Sequence, residues 1–211
     1  MTTNSLRPKG MRRQPRQARS QERVNQILDV AEQLFISKGY NATSTNAIAA
    51  QAQVPIGSLY QFFPDKAAIL YGLAARYNQQ LHSLLTELNS PDGEKLSLSK
   101  YVEQTIDAVD RFFTDYPGYH AIFMPLQSSM PELEAIDAAA DAQLINDLVI
   151  FFSRYDPELA PEIYEAIAFV LVKTIGTLLW TSLSQEKVFR QQLVQETKRI
   201  VLSYLQSYFT Y

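Results

Sequence analysis

The sequence predicts an all-α protein of about nine helices, a short three-helix head followed by a larger helical body. Three observations carry this. Apolar residues recur at three- and four-residue spacing in almost every segment. Pro, Gly or Ser marks the boundaries, and no segment alternates apolar and polar residues as a strand would. With 211 residues the chain is long enough for two unequal domains, each with its own core.

Residues 1–19 contain Arg7, Lys9, Arg12, Arg13, Arg16 and Arg19 with few large apolar side chains, which predicts a disordered basic arm. Such a segment can reach DNA, serve as a transit peptide or be a plain tail. From Ser20, a candidate cap, Val24, Ile27, Leu28, Ala31, Leu34 and Phe35 form one helical stripe that Lys38-Gly39 should stop. Thr45 can cap a short helix over Asn46–Gln51. Gln53-Val54 makes a brief turn, Pro55 suits the first position of the next helix, and Pro64 ends it. Asp65 can cap a long fourth helix reaching about Leu88, which Ser90-Pro91-Asp92-Gly93 breaks. Further helices are expected over Ser97–Asp115, Pro117–Ser128, Pro131–Tyr155, Pro161–Leu183 and Gln185–Phe209. The domains implied are a head at residues 20–66 and a body at 67–211.

Composition narrows the function. No stretch of eighteen residues is both uncharged and predominantly apolar, so a soluble protein without a membrane span is expected. The chain has no cysteine, which removes disulfides, thiolate zinc sites and cysteine nucleophiles. No apolar run of signal-peptide type follows the basic N-terminus, and a cytoplasmic location is expected. The formal net charge is −3, but it is unevenly spread. Residues 1–66 carry nine Lys and Arg against four Asp and Glu, and residues 67–211 carry ten against eighteen. A basic head on an acidic body suits docking on phosphates with one end, although clustering in a solvated tail gives the same sums.

Thr43–Lys66 reads as two short helices joined by a tight turn and set against a longer first helix, the geometry of a helix-turn-helix. In that unit the second helix enters the major groove and neighbouring groups fix the register on phosphates. Gly57 and Ser58 are small enough for close approach, Tyr60 and Gln61 can reach a phosphate or a base edge, and Lys66 can pair with phosphate. Leu59 and Phe62 should face the core. An enzyme finds little support: His82 and His120 are far apart, and no Gly-rich phosphate loop or metal-ligand spacing occurs. Glu132 and Glu134 read as solvated charges at a helix start. No cofactor and no metal are expected. The competing reading is a helical scaffold protein whose helix pair is only structural.

Residues Ala42–Ala50, Ala-Thr-Ser-Thr-Asn-Ala-Ile-Ala-Ala, and Val54–Lys66, Val-Pro-Ile-Gly-Ser-Leu-Tyr-Gln-Phe-Phe-Pro-Asp-Lys, resemble the DNA-binding domain of the tetracycline-repressor family. The resemblance covers about residues 20–70. It implies a ligand-responsive repressor, acting as a homodimer on a palindromic double-stranded operator. By position it implies Thr45 and Tyr60 on phosphates, Asn46, Pro55, Ile56, Gly57, Ser58 and Gln61 near base edges, and Lys66 on the DNA backbone. Gln53 stands where the family usually has Gly, so it must tolerate a left-handed conformation. Asn46 stands where many members have Arg, and its amide suits adenine better than guanine.

The body offers weaker signals. Ala166–Trp180 is apolar nearly all round and must be covered on more than one face, by a partner subunit or by the monomer's own core. A four-helix bundle of the last two helices across a two-fold axis satisfies the first option and is what the resemblance implies. Aromatic residues crowd the middle helices. Tyr77, Phe112, Phe113, Tyr116, His120, Phe123, Phe152, Phe169, Lys173 and Trp180 are the candidates for lining a site for a small apolar or aromatic effector, against the alternative that they are simple core.

Overall fold

The structure is a computed structural model that describes residues 18–89, 96–123, 125–126, 129–155 and 157–209. The basic arm expected at 1–19 and the break at Ser90–Gly93 lie, but for Ala18 and Arg19, outside the described residues. Among those residues are nine helices and no strand: α1 (Ala18–Lys38), α2 (Thr45–Gln51), α3 (Ile56–Phe62), α4 (Lys66–Leu88), α5 (Leu98–Asp115), α6 (Pro117–Phe123), α7 (Pro131–Tyr155), α8 (Pro161–Ser182) and α9 (Lys187–Gln206). The chain forms two compact units. The first holds residues up to Asn78 together with Ala121–Asp137, and the second holds Gln79–His120 and Ala138–Tyr211. The first unit thus extends past Lys66 to take in more than half of α4, because that part of the α4 stripe is buried in it.

In the first unit Val24, Ile27, Leu28, Ala31, Leu34 and Phe35 of α1 are buried, as their spacing predicts. Gly39, at φ +83°, ends α1 by returning its N–H to Phe35 O at 3.0 Å. Ser20 lies inside α1 and does not cap it, because the helix already runs from Ala18. Ile69, Leu70, Leu73 and Tyr77 of α4 are buried as well. Gly72 allows a close approach: a Cβ there would lie 3.0 Å from Phe63 Cε1 and 3.3 Å from Leu28 Cδ2. Asp65 caps α4 by accepting from Ala68 N at 2.7 Å, as expected. Arg76 bridges α4 to α1 with Asp29 at 2.5 Å and Glu32 at 2.7 Å, and Tyr77 Oη donates to Glu32. The later segment joins this unit through Ile122, Phe123 and Leu133, all buried, with the Phe123 ring edge-on to Tyr77 at 6.0 Å.

α6 is shorter than the sequence reading, which extended it to Ser128. Pro125 lacks an N–H and lies in a turn with Leu126, whose N–H donates to Phe123 O at 3.0 Å, so the helix stops at Phe123.

In the second unit α5, α8 and α9 pack together. Tyr101, Val102, Ile106 and Val109 of α5, Ile167, Ala168 and Leu171 of α8, and Val194, Val201 and Leu205 of α9 are buried. Arg190 reaches Asp110 at 2.5 Å and Lys198 reaches Asp107 at 2.6 Å, tying α9 to α5. His82 Nε2 lies 2.7 Å from Asp147 of α7. Among the described residues α8 is long and apolar enough to cross a membrane by length and composition. Asking for eighteen uncharged residues misses it because Lys173 sits in its middle.

Candidate nucleic-acid interface

The α2–α3 pair is built from short-range chemistry. Ser44, not Thr45, caps α2: its Oγ accepts from Ala47 N at 3.1 Å. Two neighbouring hydroxyl residues compete for that place, and Ser44 takes it because its backbone is extended while Thr45 is already helical. The turn closes with Ala52 N on Ile48 O at 2.8 Å and Val54 N on Ala49 O at 3.0 Å. Gln53 sits there at φ +54°, the left-handed conformation its place in the turn demands. Pro55 is the N-cap of α3, one position earlier than expected, and its carbonyl accepts from Ser58 N at 2.8 Å and Leu59 N at 3.2 Å.

The two faces of the pair separate cleanly. Ile48, Ala49, Ala52, Val54, Leu59, Phe62 and Phe63 are buried. Asn46, Pro55, Ile56, Gly57, Tyr60 and Gln61 are exposed, and Thr45 and Ser58 are half-buried. Thr45 Oγ1 lies 3.0 Å from Tyr60 Oη, so the hydroxyls of α2 and α3 meet at one exposed point. Exposed hydroxyls so paired can turn to donate to one phosphate. Tyr60 and Ile56 are large apolar groups left 39% and 37% exposed, which the packing of this unit does not require. Gly57 is equally unexplained within the chain: its φ is not positive, and a Cβ on it would meet nothing within 4 Å.

Lys66 stands apart from the other eight. Its Nζ donates to the carbonyls of Tyr40 at 2.6 Å, Asn41 at 3.3 Å and Thr43 at 2.8 Å, and lies 4.3 Å from the centroid of the Tyr40 ring. Burial lowers its pKa, and burial, then the nearby Asp65 charge, raises that of the Tyr40 hydroxyl. Tyr40 and Thr43 were not singled out in the sequence. The signal for Thr43 is that it is a hydroxyl residue in a loop yet 3% exposed, and its Oγ1 donates to Gly39 O at 2.9 Å.

Of the ten residues expected around an effector, two lie in the first compact unit and eight in the second. Tyr77 and Phe123 belong to the first unit. In the second, Phe112, Phe113, Tyr116 and His120 gather with Tyr119 and Trp180; Trp180 lies 5.9 Å from Phe113, 5.3 Å from Tyr119 and 4.9 Å from His120. Burial lowers the His120 pKa. Phe152 sits in a different ring cluster with Tyr101, Phe151 and Phe209. Phe169 is 52% exposed on the outer face of α8, and Lys173, one turn on, pairs with Asp141 at 2.6 Å. Helical spacing alone gives these last two no inward direction, because α8 is apolar on both sides.

Two family models match the chain. The one described as bacterial regulatory proteins, tetR family, covers residues 27–71, and the one described as tetracyclin repressor-like, C-terminal domain, covers residues 97–205. Among curated proteins, the HTH-type transcriptional activator FasR of Mycolicibacterium smegmatis is 28% identical over 130 residues, 61% of this chain and 58% of FasR. The HTH-type transcriptional repressor KstR of Rhodococcus jostii is 37% identical over 62 residues, 29% of each. The chain thus spans less than two thirds of the length of these relatives. Among solved structures, a TetR-family regulator from Syntrophomonas wolfei superposes with a TM-score of 0.71 at 19% identity, covering 90% of this chain and 98% of that one. Another from Streptomyces coelicolor gives 0.63 at 23% identity, with 89% and 99% covered. These likenesses share the fold, and the C-terminal model alone spans half of the sequence. This chain belongs to the tetR family of bacterial regulatory proteins.

Proposed function

We propose that this chain is a sequence-specific transcription regulator of the cytoplasm that binds a two-fold-symmetric operator as a homodimer and answers to a small apolar or aromatic effector. The observation that carries the reading is the outward face of α2 and α3. Small or unpaired groups stand there at Gly57, Ser58 and Gln61, beside the hydroxyl pair of Thr45 and Tyr60, over a fully packed inner face. Pro55, Ile56, Gly57, Ser58 and Gln61 would meet base edges, Asn46 would prefer adenine, and Thr45 and Tyr60 would hold phosphate. Repression is the simpler mode, because occupancy alone blocks a promoter; FasR is named an activator and KstR a repressor.

The dimer reading rests on α8 and α9. Phe169 and Val170 of α8 and Phe189 and Ile200 of α9 are large apolar residues left 39–52% exposed. Gly176 lies on the same helix, and a Cβ there would meet nothing within 4 Å in the chain. A second copy would cover these groups in a four-helix bundle. The effector reading rests on the half-buried rings around Trp180, the single tryptophan, whose fluorescence would report occupancy.

The test is selection of random duplexes by the purified protein. A two-fold-symmetric consensus, bound at least tenfold more weakly by Tyr60→Ala, supports the reading. No enrichment over non-specific DNA by the folded protein would demote the helix pair to scaffold.

A further inference from the structure

The cage around Lys66 gives this residue a task other than the phosphate contact that its position in the sequence suggests. An ammonium has three N–H donors, and three backbone carbonyls of one loop take them, at Tyr40, Asn41 and Thr43. The Tyr40 ring covers the cation from a fourth side at 4.3 Å, and packs in turn on Phe35 at 5.3 Å. Lys66 is the first residue of α4, where a positive charge opposes the helix dipole. The position is unfavourable for a cation unless acceptors outside the helix hold it.

Those acceptors belong to residues that must be placed well. The loop 39–43 leads directly into Ser44, the cap of α2, and Thr45, the partner of Tyr60. Its carbonyls converge because Gly39 turns with positive φ and Thr43 folds its hydroxyl back on Gly39 O and Leu34 O. Carbonyl oxygens so gathered repel one another unless a cation sits among them.

We infer that Lys66 is a positioning residue that clamps the α1–α2 loop from the start of α4, fixing the α2 cap and the Thr45–Tyr60 pair, and that it makes no direct contact with a DNA phosphate. The inference rests on the DNA-binding reading above, and it replaces the phosphate role for this residue alone. The cationic attraction to DNA then falls to other groups. Of the nine Lys and Arg in residues 1–66, five lie in residues 1–17, and Arg19, Arg23 and Lys38 are exposed.

Two measurements on the full chain test it. In the first, lysine labelling by a small acylating reagent is read by mass spectrometry, with exposed Lys38 as the internal standard. Lys66 should label at least tenfold more slowly than Lys38 in the free protein, and adding operator duplex should not slow it further. Free labelling at the Lys38 rate, or strong protection only on DNA, overturns the clamp. In the second, operator affinity is followed against salt for the wild type and Lys66→Met. Loss of one phosphate ion pair from each copy of the dimer makes the slope of log K against log salt shallower by about 1.8, about 0.9 for each pair. The clamp predicts a loss of about tenfold at every salt concentration with the slope changed by less than about 0.3. A slope change of about 0.9 or more overturns it. If Lys66→Met does not fold, the labelling result on wild-type protein decides. If the wild type selects no duplex, the DNA reading fails, while labelling of the free protein still reports on the cage.

Discussion

Replacing Gly57 with alanine should stabilise the free protein and weaken its hold on operator DNA, two effects of opposite sign from one methyl group. Gly57 is the second residue of α3, its φ lies outside the positive range, and an added Cβ meets no atom within 4 Å. The substitution therefore adds helix propensity without a clash. In a first helical turn this contributes about 0.5 kcal/mol, the lower end of the usual difference between Gly and Ala. For a chain of this size that corresponds to a rise of about 1–2 °C in melting temperature. Nothing inside the molecule explains why the less stable residue is there. A DNA surface approaching within van der Waals distance of the Cα does, and a methyl group driven into that contact should cost about 1.4 kcal/mol, or about tenfold in affinity. Circular dichroism melts at equal protein concentration and fluorescence anisotropy on the selected duplex measure the two sides. Gly57→Ala that binds operator as well as the wild type would refute the close approach of α3 at this position.

Substitutions at four other positions test the account at separate points. Gly72→Ala should destabilise by about 1–2 kcal/mol in thermal melts, because a Cβ 3.0 Å from Phe63 Cε1 meets a ring with no exposed surface and nowhere to move; a stabilised variant would contradict this. Gln53→Gly should stabilise by about 0.5 kcal/mol, since relief of the left-handed backbone outweighs the added freedom of the unfolded chain, while Gln53→Val should lose stability in the same assay. Arg76→Met should cost about 1–2 kcal/mol, chiefly through Glu32, which is left half-buried beside Tyr77 without its cation; urea midpoints equal to the wild type would count against the bridge. Phe169→Glu should convert a dimer to a folded monomer in sedimentation equilibrium, and a persistent dimer would remove the α8 face from the interface.

Where the sequence was legible, the controlling physics was local. The α1 stripe, its stop at Gly39 and the cap at Asp65 depend on residues within a few positions of one another, and each could be read from spacing and residue type, whereas the positive φ at Gln53 was expected only from the family resemblance. The division of α3 into buried Leu59 and Phe62 and exposed Gly57, Tyr60 and Gln61 follows from the same helical period. Ser44 and Thr45 were harder, because both hydroxyls can cap and only the backbone of the preceding loop decides. The cage around Lys66 left no trace, since its acceptors are backbone carbonyls 23 to 26 residues away, which every residue type carries. The aromatic positions of the body were visible as a set but not as separate clusters. Phe112 and Phe152 both read as inward, and only tertiary packing places one with Tyr119 and the other with Phe209. Phe169 shares their composition and spacing yet faces out, because α8 is apolar on a side its own unit does not cover.

The central claim is that the α2–α3 pair meets DNA twice, once from each copy. The chain has no cysteine, so a single introduced one takes a DNA-cleaving iron chelate at a known place. Ala42, exposed in the loop before α2, serves as the site, and Glu103, exposed on α5, as the comparison. With Ala42→Cys carrying the chelate, the selected duplex should be cut in two clusters related by its two-fold symmetry, their centres about one helical turn or a multiple apart, and Glu103→Cys should give far less cutting. A single cluster, or equal cutting from both labels, would contradict the account.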